Sequence, residues 1–236
     1  MTDYARLQDT LVSTLHLDRP PVAIAFREQA PAGVAKLEGA QPSSCSFWRV
    51  AAEGRTFYTV PEDHHNCPIG SYTHNIPLPP AREPELMQTL SLMSDIGYIR
   101  MEEVPGVPRL AATPGVLIYS PLGQAPVPPD AVLIAGTPRQ MMLLQEAATR
   151  AQQPAVPMLG RPTCMAIPAA VGTASVVSSL GCVGNRIYTG LTDDSFYAVV
   201  SGSVLESIVA QLGTILAANA TLAEYHTGRR SAIAAV

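Results

Sequence analysis

The sequence predicts an α/β fold, with α+β as the alternative, folded as one compact unit over residues 1–236. Short apolar runs rich in small and β-branched residues, bounded by Pro and Gly, read as buried strands at PVAIAF (21–26), GVLIYS (115–120) and AVLIA (131–135). Segments with apolar residues at helical spacing lie between them. Finally, an order of strand, cysteine-led short helix, strand and cysteine loop occurs twice, in pseudo-repeats about 20–100 and 130–226.

Taken in order, Asp3 to Leu15 is an amphipathic helix that stops before Pro20-Pro21. After the first strand, Ser43 and Ser44 are placed to cap a helix over about Cys45 to Glu53, with Gly54 suited to its C-terminal turn. RTFYTV (55–60) reads as a strand and PEDHHNCPIG (61–70) as a loop. A helix near Glu83 to Ile96 precedes the strand at 115–120. AVLIA is followed by a turn at Gly136 and a helix from Pro138 to Arg150, capped by Thr137 with Pro at its first position. Strands are expected near 174–180 and 195–200. Ser203 and Glu206 form the pattern of a capping box for a terminal helix reaching His226.

Composition excludes several function classes. Only 14% of residues are charged, 47% are hydrophobic, and 15 Lys and Arg stand against 19 Asp and Glu, for a net charge of -4. The scattered basic residues supply no phosphate-binding face, so nucleic acid is not an expected partner. The N-terminus has no long apolar stretch of a signal peptide, and no run reaches the roughly 18 apolar residues of a membrane span, so a cytoplasmic protein is expected. Thiols stay reduced there, and the four cysteines are expected to be free, catalytic or metal-bound.

Cys45 and Cys67 are 22 residues apart, Cys164 and Cys182 are 18 apart, and neither pair has C-x-x-C spacing. A straight helix from Cys164 to Cys182 would separate them by more than about 20 Å. A helix of two turns, a reversal at Gly54 or Gly172, and a returning strand would instead bring each pair's ends together. Four thiolates then supply the ligand set of an iron–sulfur cluster, [4Fe–4S] favoured over [2Fe–2S]. Zinc ranks lower because its structural sites use close cysteine knuckles. A cysteine at a helix start gains thiolate character, which favours Cys45 and Cys164, whereas Cys67 and Cys182 sit in glycine-bearing loops. The plain alternative is that the cysteines are small buried hydrophobes.

SSCSFWRVAAEGRTFYTVPEDHHNCPIG (43–70), GRPTCMAIP (160–168) and SLGCVGNRIYTGL (179–191) resemble the uncharacterised domain-of-unknown-function family 169, over nearly the whole chain. The resemblance implies that Cys45, Cys67, Cys164 and Cys182 match the family's motif cysteines; it implies no reaction.

His64 and His65 are candidates for a nitrogen ligand or proton donor, against a solvated pair of loop histidines. Arg49 and Arg186 are candidates for balancing a cluster's charge or holding a substrate carboxylate, against ordinary ion-paired arginines. Trp48 and Tyr58 read as core. The leading expectation is an iron–sulfur protein doing redox or Lewis-acid work with a small-molecule substrate or electron-transfer partner, as a monomer or homo-oligomer. A cysteine-nucleophile enzyme using Cys45 or Cys164 with a histidine, and a non-enzymatic metal or ligand carrier or sensor, are the alternatives.

Overall fold

The computed structural model describes residues 2–153 and 155–234. The chain runs α1 (Tyr4–Leu15), β1 (Val22–Arg27), α2 (Ser46–Ala52), β2 (Phe57–Thr59), α3 (Pro68–Thr73), α4 (Glu83–Asp95), β3 (Val116–Pro121) and β4 (Ala131–Gly136). It continues through α5 (Pro138–Arg150), β5 (Ala155–Leu159), α6 (Ala166–Thr173), β6 (Val176–Ser179), α7 (Val183–Thr189), β7 (Phe196–Ser201), α8 (Leu205–Val209) and α9 (Leu212–Ala234).

One mixed sheet spans the chain in the order β2-β3-β1-β4-β7-β6-β5. Six strands pair antiparallel, and β5 joins β6 in parallel at the edge. The central strands are buried on both faces, so they read as continuous apolar runs rather than alternating ones. Their period-two side chains nevertheless divide cleanly between two cores. Ala23, Val132, Ile134, Val176, Ala198 and Val200 face α1, α5 and α8. Val22, Ile24, Leu133, Tyr119, Val177, Tyr197 and Val199 face α2 and α6. All four cysteine-bearing segments lie on this second side.

The order strand, helix, strand, helix, strand occurs twice, as β1-α2-β2-α3-β3 and β4-α6-β6-α7-β7. Each set forms three neighbouring strands, β2-β3-β1 and β6-β7-β4, and the sets meet where β1 runs antiparallel to β4, Val22 opposite Leu133. That is the arrangement of a pseudo-twofold axis through the sheet between β1 and β4. The recurring elements run from Val22 to Pro121 and from Ala131 to Ser201. Each half carries its own insertion. Between α3 and β3, α4 and the loop after it cover α3: Tyr72 Oη donates to the Val104 carbonyl at 3.3 Å, and Leu110 N–H donates to the Thr73 carbonyl at 2.9 Å. Between β4 and α6 lie α5 and β5. Nothing comparable roofs α7, whose Val183 and Ile187 are 61% and 72% exposed.

Several local expectations are corrected. Ser43 and Ser44 do not cap α2; its N-cap is Cys45, with no side-chain cap hydrogen bond. The residues around Cys67 and Cys182 are not loops but the starts of α3 and α7. Gly172 lies inside α6, and the reversal falls on Ala174 in the left-handed conformation, φ 48°. Ser203 pairs its hydroxyl with Ser201 Oγ at 3.0 Å instead of capping, so the terminal helix begins at Leu205 and breaks before α9. The stretch Leu205–Ile233 also meets the length and mean hydropathy (1.2) of a membrane span, which the apolar-run criterion missed. Its first turns, at Leu205, Ile208, Val209 and Leu212, belong to the protein core.

Candidate functional site

The pseudo-twofold brings the cysteine segments together in a crossed pattern. Cys45 is the N-cap of α2 and Cys67 of α3; Cys164 lies in the 3₁₀ turn Thr163–Met165 before α6; Cys182 is the N-cap of α7. α2 packs on α7, and the turn holding Cys164 packs on α3. Each half's first cysteine segment therefore meets the helix led by the other half's second cysteine. Cys45 and Cys164 are buried, each 6% exposed, and Cys67 and Cys182 are half-buried; all four are free thiols.

Polar contacts tie the segments. Ser43 Oγ lies 3.1 Å from Cys45 Sγ and donates to Cys67 Sγ at 3.5 Å, so the two sulfurs are no farther apart than those lengths laid end to end. Gly70 N–H donates to Cys67 Sγ at 3.3 Å, the N-cap bond of α3. Cys182 N–H donates to Thr163 Oγ1 at 2.5 Å, which hooks the start of α7 to the residue preceding Cys164.

The electrostatics follow from burial and crowding. Burial pushes the Cys45 thiol up to about 12, with Cys67 and Cys182 adding to the rise and Ser43 and Asn185 opposing it. Burial also holds Cys164 well above the usual thiol range, reinforced by Cys67, Cys45 and Cys182 and opposed by Thr73. The packing of α2 on α7, and of the Cys164 turn on α3, brings the cysteine segments into one neighbourhood. Burial runs against the expectation that Cys45 and Cys164 are the thiolate pair. No helix N–H reaches the Cys45 sulfur, and the dipole of a two-turn helix is weak beside the cost of a buried anion. Among the described residues, no three His, Cys, Asp or Glu side chains stand close enough together to hold a single metal ion.

Around the thiols the interior is polar and under-partnered. Ser46 Oγ, Trp48 Nε1, Tyr119 Oη and both amide atoms of Asn185 are buried without a hydrogen-bond partner in the protein. Ser46 and Trp48 follow Cys45 on α2, and Asn185 follows Cys182 on α7. Tyr119 and Tyr197 feel the charge of Cys45, and Asn185 lies beside both Cys45 and Tyr197 without reaching hydrogen-bond geometry. Buried polar atoms are nearly always satisfied, so such a concentration marks a place where the protein's own atoms do not complete the site.

The other candidates separate. His64 is not a solvated loop residue: it is 1% exposed, with Nε2 2.9 Å from Thr59 Oγ1 and Nδ1 3.0 Å from Ser44 Oγ, and burial pushes its pKa well down. Both nitrogens are hydrogen-bonded to hydroxyls, and burial favours the neutral ring. His65 is half-exposed. Arg186 holds the carbonyls of Thr192 (2.7 Å), Leu180 (2.5 Å) and Ser195 (3.1 Å), pinning the loop between α7 and β7 rather than facing a substrate. Arg49 is exposed, with only a loose contact to Glu53 at 3.9 Å. Trp48 is core at 2% exposed, whereas Tyr58 is half-buried. Sequence reasoning missed Asn185 and His74. His74 ends α3 two turns after Cys67; its Nδ1 lies 2.8 Å from the Gly70 carbonyl, so Nδ1 carries the proton, and its buried Nε2 has no partner. Spacings of three and seven residues from a motif cysteine are the signal that would have found them.

The extent of the fold that carries this site is matched by one family profile, over residues 10–211, under the description uncharacterised ArCR. The chain belongs to the DUF169 family. The DUF169 match takes in every strand, all four cysteines and both insertions, and leaves α9 outside. No curated protein and no solved structure matches the chain.

Proposed function

We propose that Cys45, Cys67, Cys164 and Cys182 ligate an iron–sulfur cluster, [4Fe–4S] ahead of [2Fe–2S], in a protein that does redox or Lewis-acid chemistry on a small molecule or passes electrons to a partner. What supports this reading is that α2 packs on α7 and the Cys164 turn on α3, so that segments carrying four free thiols from two halves of the fold meet, with unpartnered buried polar atoms on α2 and α7. A single tetrahedral ion with sulfurs at about 2.3 Å needs them about 3.8 Å from one another. Among the described residues no three His, Cys, Asp or Glu side chains stand in such an arrangement. A [4Fe–4S] cluster puts each thiolate on a different iron and so takes a wider spacing than a single ion does.

The chemistry of the donors agrees. Buried thiols held in their neutral form give up protons when metal cations replace them, and loading is coupled to proton release. Trp48 N–H and the Asn185 amide supply donors of the kind that hydrogen-bond to cluster sulfur and tune its potential. The nucleophilic alternative has less support, because Cys45 and Cys164 are buried and driven toward the thiol. A cytoplasmic setting, in which reduced iron and thiols persist, belongs to the same proposal.

The test is protein purified without oxygen, its absorption followed between about 300 and 700 nm where sulfur-to-iron charge transfer lies, with iron and acid-labile sulfide measured together. Cys→Ser changes at the four positions should each diminish the chromophore. Protein that holds neither iron nor sulfide after reconstitution, or that takes up zinc alone, overturns the proposal.

A further inference from the structure

Beside the cysteine site, between α2 and the end of α7, the structure holds a cleft of about 270 Å³ that none of the contacts described so far fills. Its floor is sheet, at Val22, Leu133 and Tyr197, and one wall is Trp48. Trp48 and Tyr197 meet edge to face, ring centres 5.7 Å apart at 82°, and form an aromatic corner. The indole N–H has no partner in the protein.

Two guanidinium groups reach the cleft. Arg49 is tied only loosely to Glu53, at 3.9 Å, and Arg19 makes no ion pair among the described residues. Asp18 is the one acidic residue among the lining groups. An underpaired pair of cations at a cleft selects for an anion, and the guanidinium fork matches a carboxylate's two oxygens. The volume is at the low end for ligand sites, which limits the occupant to a small molecule.

We propose that this cleft binds a small carboxylate, with Arg19 and Arg49 holding the carboxylate at its rim. The inference goes beyond the cluster proposal and does not rest on it, so it is tested on metal-free protein. Trp48 is the only tryptophan in the chain and lines the cleft, so in metal-free protein its fluorescence reports on occupancy there.

The experiment titrates benzoate, its neutral counterpart benzamide, and inorganic phosphate into the metal-free full chain, excited at 295 nm. Benzoate should change the emission saturably, and benzamide and phosphate should bind at least about tenfold more weakly, the scale of one charge-assisted hydrogen bond. Arg49→Gln and Arg19→Gln should each weaken benzoate by about tenfold or more. Both positions are exposed, and circular dichroism verifies that the variants fold. Equal binding of benzamide and benzoate, preference for phosphate, unchanged affinity in both folded variants, or no saturable response to benzoate each overturns the proposal.

Discussion

Replacing Asn185 with leucine separates a structural asparagine from one waiting for a ligand. Asn185 is 1% exposed, and neither its carbonyl oxygen nor its amide nitrogen has a hydrogen-bond partner. A buried polar atom without a partner costs about 1–3 kcal/mol, and leucine of similar size removes two of them while favouring the helix by a few tenths. Metal-free Asn185→Leu should therefore be more stable than the parent by about 1–3 kcal/mol, a rise of roughly 0.5–1 M in the urea midpoint at unchanged slope. The measurement is urea unfolding followed by far-UV circular dichroism. In cluster-loaded protein the gain should disappear, because the amide then has something to bond. A metal-free variant destabilised by more than about 1 kcal/mol would refute the reasoning, since it would mean the amide is already satisfied.

Three further outcomes are expected. His64 and His74 are fully buried and their pKa values are lowered, chiefly by burial, so their neutral forms are built in. Stability from this source is complete above the unfolded histidine pKa near 6.5 and falls as the pH drops below it toward the folded values, by up to about 1.4 kcal/mol per pH unit per histidine. Urea midpoints from pH 7 to 5 should show the fall, and a flat profile would contradict it. Ala174, exposed and at φ 48°, should gain about 0.5–1 kcal/mol as Ala174→Gly, read by the same unfolding assay. Gly70→Ala would put a methyl group onto Ser44 Oγ and 2.9 Å from Cys67 Sγ, so it should cost at least about 2 kcal/mol and lower iron content; wild-type iron and stability would count against the described packing.

The strands at β1, β3 and β4 were legible because both of their faces are buried and every residue had to be apolar. α1, α4 and α5 were legible for the ordinary reason of apolar spacing and, in α5, a capping box with Pro at its start. The short helices were not. α3 and α7 are six and seven residues long, carry Gly inside, and are held by tertiary contacts that local pattern does not contain. β5 has Pro157 within it, which an edge strand tolerates and a sequence reading takes for a break. Once α3 and α7 were read as loops, Cys67 and Cys182 could not be recognised as N-caps, nor Asn185 and His74 as inward-facing. The approach of Cys67 to Cys45 was readable, because helix, reversal and strand between them bring the chain back, and Ser43 touches both sulfurs.

The pseudo-twofold yields four identical groups but not four equal ones. Cys45 and Cys164 lie at the bottom of the site, while Cys67 and Cys182 are nearer solvent. The insertion that roofs α3 has no counterpart over α7, whose outer face stays bare. The site thus has a depth and a front: an oxidant, chelator or reductant arriving from water meets Cys67 and Cys182 before the deep pair. Symmetry supplied the sulfur, and the unequal insertions decide which side of it the outside world can touch.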